Sequence, residues 1–280
     1  MKRVGNIYEK IIDKNNIRKA ILNAAKRKRN RRNVRNVLDN IVDVTEKIHK
    51  MLKYEEFQPS PYEKVKIMDG VRKKERIIYK PRFYPDQCVH WALMLQLEDI
   101  IMKGMYYYNC ASIKGRGLLH ATKYIEKILV RDRKNTKYCL KLDIKKFYPS
   151  VDKEILKRKF RKKLKDRETL ILIDKIIDSS EDGIPIGNFT SQWFANFYLE
   201  DFDHFVKEKL KVKYYIRYMD DMLLFHRNKK QLRQIKKEID EYLRNEKLQL
   251  KENWQLFKSD SRPIDFLRIS FLQRIYNIKK

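Results

Sequence analysis

The stretch from Tyr214 to Phe225, Y-Y-I-R-Y-M-D-D-M-L-L-F, constrains this chain more than any other: two apolar, aromatic-rich runs are separated only by Asp220 and Asp221. Runs of that kind on either side of a short polar break predict a β-hairpin. A hairpin that needs nothing but a turn takes Asn-Gly or Asp-Gly there. Adjacent carboxylates on a tight turn repel one another, and each raises the other's pKa unless a cation neutralises both. The pair therefore points to a metal site, and oxygen ligands point to Mg²⁺. A solvated acidic turn is the competing reading for Asp-Asp on its own.

A third acid bears on the same chemistry. Tyr138 to Ile144, Y-C-L-K-L-D-I, alternates toward a strand and carries Asp143 near its end, ahead of Lys145, Lys146, Phe147 and Tyr148. Asp143 lies far upstream of Asp220, so only a fold can unite them. Two strands bringing three carboxylates to one sheet edge would bind a pair of Mg²⁺ ions about 3.5–4 Å apart, the arrangement of polymerases and nucleases. Taken alone, Asp143 also suits a strand end that caps a turn.

Charge narrows the partner. Lys and Arg total 66 against 37 Asp and Glu, a net +29 at pH 7, which points to a polyanion and first of all to nucleic acid. An anionic membrane is the second candidate, but no stretch approaches the roughly 20 apolar residues of a spanning helix, and the first 30 residues lack a signal-peptide core. No membrane partner is expected. A chain of 280 residues, 42% hydrophobic, has the length and composition to bury a core. Cys88, Cys110 and Cys139 are odd in number and show no C-x-x-C spacing, so neither a disulfide framework nor a zinc site is indicated, and a reducing cytoplasm is expected. The five histidines form no H-E-x-x-H pattern and read as structural or surface residues.

In chain order, residues 7–56 read as two helices at apolar spacing, joined by the basic block Lys26 to Arg32, K-R-K-R-N-R-R. Phe57 to Pro61 ends them with two prolines. Tyr62 to Tyr79 reads as a small antiparallel sheet turning at Asp69-Gly70. Phe83 to Ile101 reads as helical after Pro85. Asp152 to Leu164 and Asp166 to Asp178 read as two helices, each opened by a capping Asp. A glycine loop at Gly183 feeds an amphipathic helix through Leu199, and Gln231 to Leu250 is helical again.

Y-M-D-D between apolar strands, with L-D-I-K-K-F-Y-P-S upstream, resembles the palm of a reverse transcriptase, and motifs fall in that family's order from about Tyr8 to Phe271. The stretch Ile186-Gly187-Asn188-Phe189-Thr190-Ser191-Gln192 stands where most of the family has Q-G-x-x-x-S-P. I-G-x-x-x-S-Q is similar to the reverse transcriptases of diversity-generating retroelements, which copy a template RNA with frequent errors opposite adenine. The segments Phe83, Asp86, Val89, His90 and Tyr198, Leu199, Asp203, His204, Phe205 fit the same subfamily.

The resemblance implies an α+β fold with the fingers and palm of a right-hand polymerase, an antiparallel palm sheet packed on helices, and a minimal or absent thumb. Residues 1–60 would be a basic helical extension, 61–136 fingers, 137–271 palm, and 272–280 a short tail in place of a thumb. It implies Asp143, Ile144, Asp220 and Asp221 as ligands of two Mg²⁺ ions, the three aspartates being catalytic. Arg76, with Lys74, would grip the incoming dNTP, assisted by Tyr148 under the sugar and by Ile186, Gly187 and Gln192. Lys114, Arg116, Tyr218, Met219 and Arg268 would contact template or primer; Arg268 stands where the family usually has a glycine. The implied partners are template RNA, the RNA/cDNA duplex with its primer, dNTPs, and a small basic accessory protein that assembles as a ring. A phage-defence, retron or group II intron reverse transcriptase, or a non-catalytic RNA-binding scaffold, are the alternatives.

Overall fold

The computed structural model describes residues 3–69, 74–267 and 269–271. The amino-terminal region forms four helices rather than the two expected: α1 (Tyr8–Ile12), α2 (Lys14–Ala24), α3 (Arg32–Asp39) and α4 (Ile41–Lys53). The first break is at Asp13, whose carboxylate accepts the Asn15 and Asn16 N–H groups and caps α2; the second is at Asn40. Apolar spacing carries through both breaks, which is why periodicity alone merged these helices.

Strands β1 (Glu63–Asp69) and β2 (Lys74–Lys80) pair antiparallel, with Val65 opposite Ile78. The expected turn residue Gly70 lies outside the described residues, as does Arg268. The residues expected to form the short tail, 272–280, lie outside them too. A kinked turn, Phe83–Gln87, in which Tyr84 is extended (φ −114°, ψ 133°), leads into α5 (Cys88–Met102), followed by α6 (Leu118–Arg131), β3 (Tyr138–Asp143) and the short α7 (Phe147–Ser150). Next come α8 (Lys153–Lys163), α9 (Arg167–Asp178), α10 (Phe189–Tyr198) and α11 (Glu200–His204). The chain closes with β4 (Tyr214–Tyr218), β5 (Asp221–His226), α12 (Lys229–Asn245), β6 (Gln255–Lys258), β7 (Ile264–Phe266) and β8 (Ile269–Phe271).

These elements form two compact units, each made from two stretches of chain: residues 1–104 with 151–198, and residues 105–150 with 199–280. In the first, α2 and α10 pack on α5, α8 packs on α9, and the core includes Ile17, Ile21, Leu93, Leu97 and the Phe160–Phe194 ring pair, 5.0 Å between centroids. Helix α10 is not amphipathic as expected; Gln192 is its one exposed residue. Asp152 caps α8 by accepting the Ile155 N–H at 2.9 Å, but Asp166 makes no such bond to α9. Its carboxylate instead accepts Asn6 N–H at 2.8 Å, Ile7 N–H at 2.5 Å and Tyr8 N–H at 3.1 Å, satisfying the open end of α1 from a distant part of the sequence.

The second unit is built on a four-stranded antiparallel sheet in the order β4-β5-β3-β6. Alternate residues Ile216, Leu223, Phe225 and Cys139 enter a core shared with α6 and the β7–β8 hairpin, where Ile264 and Phe266 are buried. Strand β4 would be a bare edge, but Tyr108 O accepts the Arg217 N–H at 3.1 Å and Arg217 O accepts the Cys110 N–H at 2.8 Å.

Candidate active site

Strand β3 lies beside β5 in a register that places Asp143 directly opposite Asp221, and Tyr218 opposite Asp221 on the other side. Residues opposed in an antiparallel pair stand about 4.5–5.5 Å apart, so the sheet itself unites the two acids. Asp220 joins them through the backbone, its carbonyl accepting the Ile144 N–H at 3.2 Å. Ile144 is fully buried, which fixes the end of β3.

The turn between β4 and β5 is not built from glycine. Met219 takes φ +53°, a left-handed conformation unusual for a side chain of its size. Its carbonyl is held by Nη1 of Arg217 at 3.0 Å. Arg217 is fully buried and pairs with the equally buried Asp203 through Nε to Oδ1 at 2.7 Å and Nη2 to Oδ2 at 2.5 Å. Tyr215 adds its hydroxyl to Asp203 Oδ1 at 2.8 Å. A bidentate pair with these bonds compensates both charges in a dry interior. The Tyr148 hydroxyl reaches Met219 Sδ at 3.7 Å, so the candidate sugar-selecting ring stands at this turn.

Electrostatics set the acids apart from ordinary surface carboxylates. Burial, and then the Asp143 carboxylate, push Asp220 up to about 6, with Asp221 adding to the rise and Lys251 opposing it. Burial also raises Asp221 to about 6, where Asp143 adds and Lys141 and Lys251 oppose. Oδ1 of Asp143 and Oδ1 of Asp221 are buried without a hydrogen-bond partner. Orphaned, crowded carboxylate oxygens of this kind suit a hard divalent cation. Among the described residues no three His, Cys, Asp or Glu side chains stand as a finished metal cage. One reason is visible: the other oxygen of Asp143 is taken by Nζ of Lys251.

The sequence reading missed Lys251, Arg217 and Asp203 as a working set. Lys251 follows α12, and its backbone N–H donates to Asp143 O at 2.8 Å while Ile144 bridges Leu250. Nothing local marks it. Arg217 did carry a signal, since a cation inside an apolar strand must find a buried anion.

The remaining candidates divide between the units. Lys114 is exposed, whereas Arg116 is engaged structurally: Nη1 donates to Tyr106 O at 3.2 Å and the guanidinium lies 5.0 Å from the Tyr107 ring. In the other unit, Arg76 is exposed on β2 and Lys74 opens that strand. Ile186 is tied to the same strand, its carbonyl accepting the Tyr79 N–H at 2.7 Å. Gly187 has φ +120°, and a Cβ there would lie 2.5 Å from Tyr79 O, so close packing on β2 requires glycine. Gln192 projects from α10 as an exposed residue.

Residues 71–271 match the family described as reverse transcriptase (RNA-dependent DNA polymerase). The retron Ec73 reverse transcriptase of Escherichia coli is 31% identical over 164 residues, covering 53% of this chain and 48% of that protein, so the chain spans about half the length of this curated relative. Among solved structures, apo telomerase from Candida tropicalis superposes with a TM-score of 0.56 at 13% identity, covering 77% of this chain and 48% of that one. Telomerase from Candida albicans in complex with a fragment of telomeric RNA gives 0.54 at 13% identity, covering 76% and 44%.

Proposed function

Because the chain belongs to the reverse transcriptase (RNA-dependent DNA polymerase) family and shares its fold, we propose that it is an RNA-directed DNA polymerase that copies a template RNA into cDNA. The observation that carries the reading is the register of β3 and β5, which sets Asp143 against Asp221 at the turn bearing Asp220.

Reverse transcriptases use divalent metal ions, and in this chain Asp143, Asp220, Asp221 and the Ile144 backbone would hold two Mg²⁺. Bound there, the ions would activate the primer 3′-oxygen and neutralise charge on the leaving pyrophosphate. The protein's own contribution is positional. Arg217 holds the Met219 carbonyl and so the turn that aims Asp220, while Lys251 shields Asp143. Tyr148 would exclude a 2′-hydroxyl, and Arg76 with Lys74 would bind the triphosphate, Arg76 by its paired donors. Residues 61–136 and 137–271 take the roles of fingers and palm in this proposal. Lys114, Arg116, Tyr218, Met219 and Arg268 would follow template and primer, and the net charge of +29 suits such a polyanion.

The finer reading is error-prone copying at template adenines in a diversity-generating retroelement, with a basic accessory protein as partner. Its support is Ile186 in place of glutamine, an apolar side chain that offers no hydrogen bond to a nascent pair. The similarity to a retron reverse transcriptase favours the second reading, a retron-like or defence polymerase. Among the described residues no helix is long and apolar enough to cross a membrane.

The test is primer extension on a defined RNA, with and without a candidate accessory protein, followed by sequencing of the product. Extension by wild type, lost in Asp220→Ala with RNA binding retained, supports polymerase action. Errors concentrated opposite adenine select the diversity-generating reading, and uniform errors the retron-like one. RNA binding without extension in wild type leaves the scaffold reading.

A further inference from the structure

One side-chain cation lies directly on the acids that the β3–β5 register unites: Nζ of Lys251 pairs with Oδ2 of Asp143. The two side chains are only 30% and 29% exposed, and the backbone around the lysine is laced to the strand that carries the acid. The Lys251 N–H donates to Asp143 O at 2.8 Å, the Lys145 N–H donates to Gln249 O at 2.8 Å, and Ile144 forms an antiparallel bridge with Leu250 between them. The backbone of Lys251 is thus fixed beside the site, and only its flexible four-carbon stem can swing away.

The ammonium acts on more than its direct partner. Burial is the main cause that raises Asp220 and Asp221, and the charge of Lys251 opposes the rise at both. It satisfies a single oxygen, however, since Oδ1 of Asp143 and Oδ1 of Asp221 stay buried without a hydrogen-bond partner. A hard divalent ion draws on carboxylate oxygens of this kind, one or both from each side chain. It cannot use Oδ2 of Asp143 while Nζ holds that atom, and two cations on one carboxylate repel each other.

We propose that Lys251 is the resident counter-ion of the catalytic acids, displaced from Asp143 when a divalent ion enters, and that it thereby sets how much free ion the site needs. The inference rests on the polymerase reading and deepens it at one residue. Before the ion arrives, the pair holds Asp143 in place beside Asp221 and offsets part of the crowding among the acids. Afterwards the ammonium has left Oδ2 and that oxygen is open to the ion. Lys251 is a positioning residue in this account, acting through Asp143.

The test is Mn²⁺ titration of the full chain followed by electron paramagnetic resonance, with urea denaturation in EDTA and in excess Mg²⁺ as a second readout that needs no turnover. Lys251→Met, which keeps the length of the stem and removes the charge, is expected to bind Mn²⁺ about fivefold more tightly, the factor of a partly exposed ion pair at the upper end of its range. Its urea midpoint should lie below wild type in EDTA, and excess Mg²⁺ should close the gap. Lys251→Arg should stay near wild type in both measurements. The gain in affinity should vanish when Asp143→Asn is combined with Lys251→Met, because the contested oxygen pair is then gone. Lys237→Met, a charge removed from an exposed position of α12, should change nothing. Equal Mn²⁺ affinity in wild type and Lys251→Met overturns the proposal, as does an equal gain in Lys237→Met or a gain that persists beside Asp143→Asn. In primer extension the Mg²⁺ concentration giving half-maximal rate should fall in Lys251→Met. Turnover lost at saturating ion with ion affinity unaltered overturns the proposal too, assigning Lys251 to the chemical step. Absence of Mn²⁺ binding in every form would remove the metal site itself and this inference with it, whereas equal and measurable binding removes the inference alone.

Discussion

Arg217 and Asp203 form a fully buried ion pair, Nη2 to Oδ2 at 2.5 Å, and the same guanidinium holds the carbonyl of Met219 in the turn before Asp220. Stability and active-site geometry thus share one side chain. Asp203→Ala strands a buried cation, and the expected cost is roughly 3–5 kcal/mol in urea denaturation. A loss under about 1 kcal/mol would contradict the pairing.

Gly187 is the second such joint. Gly187→Ala must move either its loop or β2, because the new Cβ would meet Tyr79 O at 2.5 Å in a backbone conformation that L side chains avoid. A loss of roughly 1–3 kcal/mol is expected. Hydrogen exchange at the Tyr79 amide, bonded to Ile186 O, should accelerate selectively. Unaltered exchange there would show that the contact is not kept in solution.

His90 supplies the pH dependence. It is fully buried with both ring nitrogens unpartnered, and burial lowers its pKa from 6.5 to about 4. The unfolded chain then takes up this proton between pH 6.5 and 4 while the folded one does not, so stability falls as pH drops through that window. The histidine contributes a loss of roughly 3 kcal/mol by pH 4. Thermal denaturation across pH 4–7 should show a shallower decline for His90→Leu than for wild type; equal slopes would exclude His90 as the cause.

Ile186→Gln addresses fidelity. Apolar contact discriminates by only about 1–3 kcal/mol, whereas a polar group left unpaired rejects a mismatch more strongly. Misincorporation opposite template adenine is expected to fall about tenfold in this variant. Sequenced products with an unaltered error spectrum would remove Ile186 from the account.

How far the sequence could be read follows from where each signal lies. The β4–β5 hairpin and the β3 strand were legible because apolar runs around Asp220, Asp221 and Asp143 are local patterns, and the resemblance supplied their order. Asp152 was read correctly as a cap because its partner, Ile155, is three residues away. Asp166 likewise stands at the N-cap of α9 as read, but the partners its carboxylate takes, Asn6, Ile7 and Tyr8, are far off in sequence and were not legible. Helices α1 to α4 merged because the apolar stripe continues past Asp13 and Asn40. Lys251 was invisible for the same reason as Asp166: its carboxylate partner arrives only through the sheet.

The central claim is that Asp143, Asp220 and Asp221 act together as a divalent-ion site. Mn²⁺ binding to the full chain, followed by electron paramagnetic resonance, tests it without relying on turnover. Wild type should bind the ion, and Asp143→Asn and Asp221→Asn should each weaken binding at least about tenfold, consistent with loss of a ligand in an oxygen-donor site. Equal binding in wild type and both variants would contradict it.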